Sequence, residues 1–418
     1  MNNFGHLADY ASFVLLMFYT GTMSDPITTI PAKYRRGRGA LGNPANRFEA
    51  RSVEDLPERW EADGEGAGRS IVFEEIAKTA ITYNTSPDIS FDRSINPYRG
   101  CEHGCTYCFA RPSHAYLGYS PGLDFERILV VRPNIAEVLR KELAAKRYAP
   151  APLALGTSTD PYQPVEKEHK IKCDVLQVLG ETNHPVGITT KGSLIERDID
   201  LIAPLAEKGL AWVGISITSL NKDISRAMEP RVPSPQKRLQ TIERLAKSGI
   251  PVRLMIASIF PGLTDSELER IIAAGADAGA CAASTINFRL PREAAPIFEQ
   301  WLRESFPERA EKVLAKVREV HGGKLYDSRW GHRFKGQGIW ADLLRQRFDV
   351  AIAKNRLKHR LPPLRTDLFR PPRGESAQNR FSTRCPKSGS CGGRHARRVP
   401  RWHRPSRRTQ TRRRRVFR

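Results

Sequence analysis

Paired cysteines are what this chain lacks. Its seven cysteines in 418 residues form no even framework of the kind that staples a small secreted domain, which points to a reducing cytoplasm. No second cysteine pair follows the one tight cysteine group at zinc-ribbon distance, and structural zinc sites want four closed ligands. A membrane-spanning run is also missing. Residues 10–20 are apolar, but they are too few to cross a bilayer. No Lys or Arg precedes them, as a secretory leader requires. No stable membrane association is therefore expected, although a short membrane-associating segment is an alternative for this stretch. Residues 1–22 read as an extension, with Met23 opening a polar stretch.

Acids are scarce at the other end. Between Pro371 and Arg418 sixteen Lys/Arg stand against Glu375 alone, so most of the formal net charge of +23 lies there. This segment has almost no aliphatic residues and no hydrophobic period. It reads as a disordered Arg-rich tail, 371–418, able to bind phosphates nonspecifically. The composition breaks abruptly after Phe369, which argues against building function on the tail. The body, residues 1–370, is only mildly basic.

What is present is Cys101-Glu-His-Gly-Cys105-Thr-Tyr-Cys108, a C-x3-C-x2-C spacing. Three thiolates on a tight loop can hold three irons of a cubane [4Fe–4S] cluster and leave the fourth iron open to a small molecule. The rivals are zinc, with His103 as a fourth ligand, and a disulfide. Adjacent loop positions make the zinc geometry awkward, and three clustered cysteines leave one unpaired. Cys173 and Cys281 read as small buried apolar residues. Cys385 and Cys391, in the tail, lack the partners of a metal knuckle.

From about residue 90, short apolar runs alternate with amphipathic segments of helical length, which argues for βα units and a parallel sheet. The expected strands are Ile89–Pro97, Pro152–Gly156, Pro185–Thr189, Leu210–Ile217, Pro251–Ala257 and Ser284–Phe288, with an inserted strand at Arg127–Val131. Helices are expected at Ile135–Lys146, Lys172–Thr182, Leu194–Lys208, Pro235–Ser248, Ser266–Gly279 and Pro296–Glu304. Six units are too few for a closed eight-stranded barrel. They suit an α/β fold built as a partial (β/α)6 TIM-like barrel, with its site at the C-terminal strand ends.

The organisation expected is a basic Pro/Gly-rich arm over 23–88, a barrel over 89–300, a C-terminal helical cap over 301–370 and the tail. Gly37–Gly42 fits G-x-G-x-x-G, but no hydrophobic strand precedes it, so a dinucleotide site is rejected. A basic glycine loop folding over the body, or contacting phosphate, remains. In the cap, Trp330, Arg333, Phe334, Trp340 and Phe348 either pack onto the barrel or stack on bases.

Residues from about Arg35 to Phe369 resemble the spore-photoproduct-lyase-like branch of radical S-adenosylmethionine (radical SAM) proteins. The resemblance rests on Asn96–Cys108, Thr159-Asp-Pro-Tyr-Gln-Pro164, Thr190-Lys-Gly-Ser193 and Met228-Glu-Pro-Arg-Val-Pro233. It implies an enzyme, lyase-like, whose Cys101, Cys105 and Cys108 ligate a [4Fe–4S] cluster that cleaves SAM reductively to a 5′-deoxyadenosyl radical. It implies an electron donor of flavodoxin or ferredoxin type and a substrate that is unknown, with DNA repair and nucleic acid among the candidates.

By position, the resemblance gives Tyr107 to the adenine, with packing on the barrel as the other reading. Thr157, Ser158 and Asp160 fall to the SAM ammonium, against a loop-shaping turn. Lys191 falls to the SAM carboxylate, against a solvated turn. Ser216 falls to the ribose or carboxylate, against a strand-end hydroxyl. Arg289 is either a ligand contact or half of a buried ion pair. Spore photoproduct lyases carry a cysteine hydrogen donor at the end of the second strand. Gly156-Thr157 stands there, which puts thymine-dimer repair by that route in doubt. The rival from another class is a nucleic-acid-binding protein with a structural metal.

Overall fold

The structure is a computed structural model that describes residues 27, 29–32, 35–48, 70–372 and 397–398. The extension at 1–22 and most of the Arg-rich tail lie outside the described residues. The strands are β1 (Ile71–Glu74), β2 (Ile81–Tyr83), β3 (Arg93–Ile95), β4 (Tyr98–Arg99), β5 (Ile128–Val131), β6 (Leu153–Leu155), β7 (Val186–Thr190), β8 (Ala211–Ser216), β9 (Val252–Ile259), β10 (Ala282–Asn287) and β11 (Arg397–Arg398).

Six of them, β3, β6, β7, β8, β9 and β10, pair in parallel in that order and form the partial barrel wall. In β7 and β8 nearly every residue is buried, as expected of parallel strands covered on both faces. Ile188, Val213, Val252 and Leu254 are all fully buried in one core. The first expected strand, Ile89–Pro97, is realised only over Arg93–Ile95, the residues that pair with β6.

Helices close the outer face. In Ile135–Leu143 the buried residues Ile135, Leu139 and Leu143 recur every four positions, the spacing of one helical stripe. Pro235–Lys247 opens with Pro at its first turn and with Ser234 accepting from Lys237 N at 3.3 Å, a start that suits both residues. Leu268–Asp277 turns Leu268, Ile271, Ile272 and Gly275 inward.

Three features depart from the expected plan. The 23–88 segment is not only an arm: β2 extends the main sheet antiparallel to β3. The same segment supplies β1, which pairs in parallel with β5 in a second, smaller sheet completed by β4 and β11. The two-residue β11 falls within the stretch read as a disordered tail. Short strands with weak alternation leave little periodic signal, and pairing partners far away in sequence decide them.

The C-terminal region is helical as expected, with Ala294–Ser305, Pro307–Val320 and Ile339–Lys354. The first two surround a second core of Phe260, Phe288, Phe298 and Trp301, which also contains Tyr107. Phe348 is buried, and Trp340 donates from Nε1 to Asp265 at 3.2 Å. Both therefore pack the cap onto the barrel, whereas Trp330 is exposed. Cys173 is buried as expected, but Cys281 is exposed, because it lies in the turn between the helix Leu268–Asp277 and β10. Among the described residues no helix is long and apolar enough to cross a membrane.

Gly156 fixes the spacing of two strand ends. Its φ is +87°, and a Cβ there would sit 1.9 Å from the Thr189 carbonyl oxygen. Gly156→Ala is expected to cost more than about 1 kcal/mol, since Ala fits neither the φ nor the space. Thermal unfolding of the variant beside the parent chain checks this.

Candidate functional site

The chemistry-bearing loops meet at the C-terminal ends of the six parallel strands. There they line a concave cavity, the setting in which small-molecule sites are usually found. Cys101, Cys105 and Cys108 enter it after β3 and β4. Ser158 and Asp160 enter after β6, Lys191 after β7, Ser216 from β8, and Arg289 after β10.

Backbone and side-chain hydrogen bonds hold the cysteine loop from all sides. Cys101 N donates to Phe125 O at 2.8 Å, and Thr106 N donates to Met228 O at 3.0 Å. Gln163 bridges the loop, accepting from Glu102 N at 2.8 Å and donating to Gly100 O at 3.2 Å. Arg111 reaches back with Nε and Nη2 to Cys105 O at 3.1 and 2.8 Å. It also pairs with Glu126 at 2.5 Å, and both side chains are fully buried.

Glu126 completes a second bond set. It accepts from Gly39 N at 2.9 Å and Ala40 N at 2.8 Å. The glycine-rich loop at 37–42 is thus a strap laid over the cysteine loop. The closeness requires glycine: a Cβ at Gly39 would lie 1.9 Å from Gly104 O. This is the folding-over reading of the glycine motif.

All three cysteines are free thiols. Burial pushes the Cys101 and Cys105 thiols up, with the Asp160 charge adding to the effect at Cys101. Bound cations reverse that preference by taking the thiolate directly. Among the described residues no three His, Cys, Asp or Glu converge as ligands of a single ion. The donor set itself fits the expected cluster: three cysteines of one loop line the same cavity. His103 turns Nδ1 toward Asp160 at 3.4 Å.

The cavity gathers five of the six residues assigned to SAM: Tyr107, Ser158, Asp160, Lys191 and Ser216. Thr157 is not among its lining residues; its hydroxyl donates to Asn96 Oδ1 at 3.3 Å. Asp160 lines the cavity, but its carboxylate is already engaged. Oδ1 accepts from Tyr162 N at 2.9 Å and Thr190 Oγ1 at 2.6 Å, and Oδ2 accepts from Lys191 N at 2.7 Å. Burial raises the Asp160 pKa, but His103 and these hydrogen bonds outweigh it and hold the carboxyl at about 2. This geometry is that of a loop-shaping aspartate.

Lys191 places Nζ 5.8 Å from the centroid of the Tyr107 ring. Burial lowers its pKa, yet Cys105 and Glu229 outweigh burial and raise it. Tyr107 packs edge-on against Phe260 and donates its hydroxyl to Glu229. Glu229 also accepts from Thr218 Oγ1 at 3.1 Å and pairs with Arg238 at 2.9 Å. Arg238 in turn donates to Ser216 O at 2.8 Å.

Glu126, Glu229, Arg238 and Gln163 escaped the sequence reading as support for the site. Glu229 lay inside a quoted motif, Met228–Pro233, and that was the signal available for it. Among the described residues Arg289 forms no ion pair with a carboxylate; its guanidinium lies beside the rings of Phe109 and Phe334.

Comparison with known proteins follows this geometry. Residues 95–274 match the family model described as the radical SAM superfamily. An uncharacterised protein of Mycobacterium tuberculosis is 34% identical over 307 residues, covering 71% of this chain and 85% of that protein. An uncharacterised protein of Methanocaldococcus jannaschii is 27% identical over 231 residues, covering 53% and 80%. The fold is shared with a spore photoproduct lyase mutant solved with bound AdoMet and dinucleoside spore photoproduct. That match has a TM-score of 0.52 and 16% identity, and covers 73% of this chain and 85% of that one.

Removing the Glu126 carboxylate strands a fully buried guanidinium and frees the strap. Glu126→Ala is therefore expected to cost about 3–5 kcal/mol. Urea unfolding at fixed pH checks this, with Glu304→Ala, which breaks the half-exposed pair to Arg35, expected to cost no more than about 1 kcal/mol.

Proposed function

The chain belongs to the radical SAM superfamily, and from that premise we propose that it binds SAM at a [4Fe–4S] cluster held by Cys101, Cys105 and Cys108. The observation that carries this reading is a cavity lined by three free thiols and Lys191 at the C-terminal ends of six parallel strands. When bound, the cluster supplies the electron that splits the sulfonium of SAM into methionine and a 5′-deoxyadenosyl radical, which abstracts a hydrogen from substrate.

The chain's own residues bind, orient and exclude water. Lys191 offers a cation to the SAM carboxylate, and its neighbour Tyr107 offers a ring edge, held still by Glu229. Ser158 and Ser216 offer hydroxyls to the ammonium and ribose. Asp160 acts through the loops, fixing the Lys191 backbone. The strap and the aromatic core of Phe260 and Phe288 keep water off the cysteine side, which protects a radical site from side reactions.

The spore photoproduct lyase structures support a place in the same lyase-like group, with nucleic acid among the candidate substrates. Gly156 and Thr157 carry no thiol where the family resemblance places a cysteine donor. The proposal therefore does not extend to thymine-dimer reversal by that route. A one-electron donor of flavodoxin or ferredoxin type and a reducing cytoplasm complete the reading, since free thiols suit that compartment.

Anaerobic reconstitution with iron and sulfide, then dithionite and SAM, tests the function directly. The expected result is a brown protein that forms 5′-deoxyadenosine. A colourless protein holding zinc would favour a structural metal in a nucleic-acid-binding protein. Cys101→Ala, Cys105→Ala and Cys108→Ala should each lose the intact cluster, whereas Cys173→Ala and Cys281→Ala should keep it; iron and sulfide content is the measurement.

Lys191 and Asp160 are expected to separate. Lys191→Met should weaken SAM by roughly ten- to a hundredfold, the worth of a charge-assisted hydrogen bond at about 1.5–3 kcal/mol. Asp160→Asn should lower the melting temperature while leaving SAM affinity near that of the parent. Equilibrium binding and thermal unfolding on the same cluster-replete proteins decide between these roles.

A further inference from the structure

One arginine in the cavity wall has no carboxylate partner among the described residues. Arg111 faces Glu126, Arg238 faces Glu229, and Arg197 faces both Glu166 and Asp198. Arg333, beside the cavity mouth, donates from Nε to Asp88 at 2.8 Å. Arg289 lines the cavity itself, half-buried, and among the described residues no carboxylate lies within ion-pair distance of it. Its polar neighbours are the Tyr326 hydroxyl and the Cys108 sulfur.

The guanidinium is held in place by rings rather than by charge. Its centre lies 4.3 Å from the centroid of Phe109 and 4.5 Å from that of Phe334. Phe109 directly follows the last cysteine, so the arginine is tied to the cysteine loop. Phe334 is fixed from the other side: Asn287 N donates to Phe334 O at 3.0 Å, at the end of the strand that leads to Arg289. His321 caps the same strand end, with Nε2 at 2.6 Å from Phe288 O. Covering the guanidinium faces leaves its N–H edge as the polar surface. That edge is a planar fork whose natural partner is an oxyanion bound through two oxygens. A half-buried cation without an anion is costly, and every comparable arginine described above avoids that cost.

We propose that Arg289 is a specificity-determining residue that binds an oxyanion of the substrate, a carboxylate or a phosphate. This rests on the SAM-binding reading, because Lys191, on the Tyr107 and Glu229 side of the cavity, already supplies the cation for the cofactor's carboxylate. Substrates lacking an anionic group are then disfavoured, since they leave the guanidinium desolvated and unpaired.

Arginine-selective labelling with phenylglyoxal, read peptide by peptide by mass spectrometry, tests this on the full-length, cluster-replete protein. With SAM saturating, Arg289 should still react. Potassium phosphate or potassium acetate should then slow its labelling severalfold relative to potassium chloride at equal ionic strength. The stronger protector of the two tells a phosphate-bearing from a carboxylate-bearing substrate. Protection by SAM alone would assign Arg289 to the cofactor and overturn the proposal, as would equal labelling in all three salts. Arg289→Met should bind SAM as the parent does; a loss as large as that of Lys191→Met would also overturn it. Failure of the parent protein to bind SAM is a separate outcome, and it removes the functional reading itself.

Discussion

The ion pair between Arg111 and Glu126 is the constraint on which the cysteine loop depends. Both charges are out of water, where each must be fully satisfied or be costly. Arg111 meets that demand by donating to carbonyls of the cysteine loop and to Pro121 and Gly122. Glu126 meets it by taking two backbone amides of the strap. One buried pair thereby joins the cysteine loop, the segment that follows it and a strap some 87 residues earlier in the chain. It fixes a loop that has no regular secondary structure of its own.

A second buried pair, Glu229 and Arg238, does the same work on the barrel side. It holds the Tyr107 hydroxyl, the Thr218 hydroxyl and the carbonyl of Ser216 in one network. Residues that line the cavity are therefore positioned by groups that do not. Preorganisation of this kind lets a site present fixed dipoles and rings without spending binding energy on ordering them.

The parts legible in the sequence were those governed by local pattern. The C-x3-C-x2-C spacing located the thiols, and the alternation of apolar runs with helical stripes located all six parallel strands. The rule that sites gather at strand ends put Ser158, Asp160, Lys191 and Ser216 beside the cysteines. Roles set by long-range partners were not legible. Asp160 carries the residue type of an ammonium ligand, yet its oxygens face loop amides and hydroxyls that only the folded chain brings near. Thr157 stood next to lining residues but points to Asn96. β1 and β2 were hidden inside a stretch whose Pro, Gly and charge content reads as an arm, because two- to four-residue strands are chosen by their partners rather than by their own composition.

The strap has a consequence for the order in which the protein is made. Gly39 and Ala40 leave the ribosome long before Glu126, their carboxylate partner, is synthesised. Until then the cysteine loop has neither its cover nor the acid that braces Arg111. Contacts at such separation form late, because the loop they close must first be brought together. The nascent chain thus passes through a stage in which its thiols exist but are still uncovered.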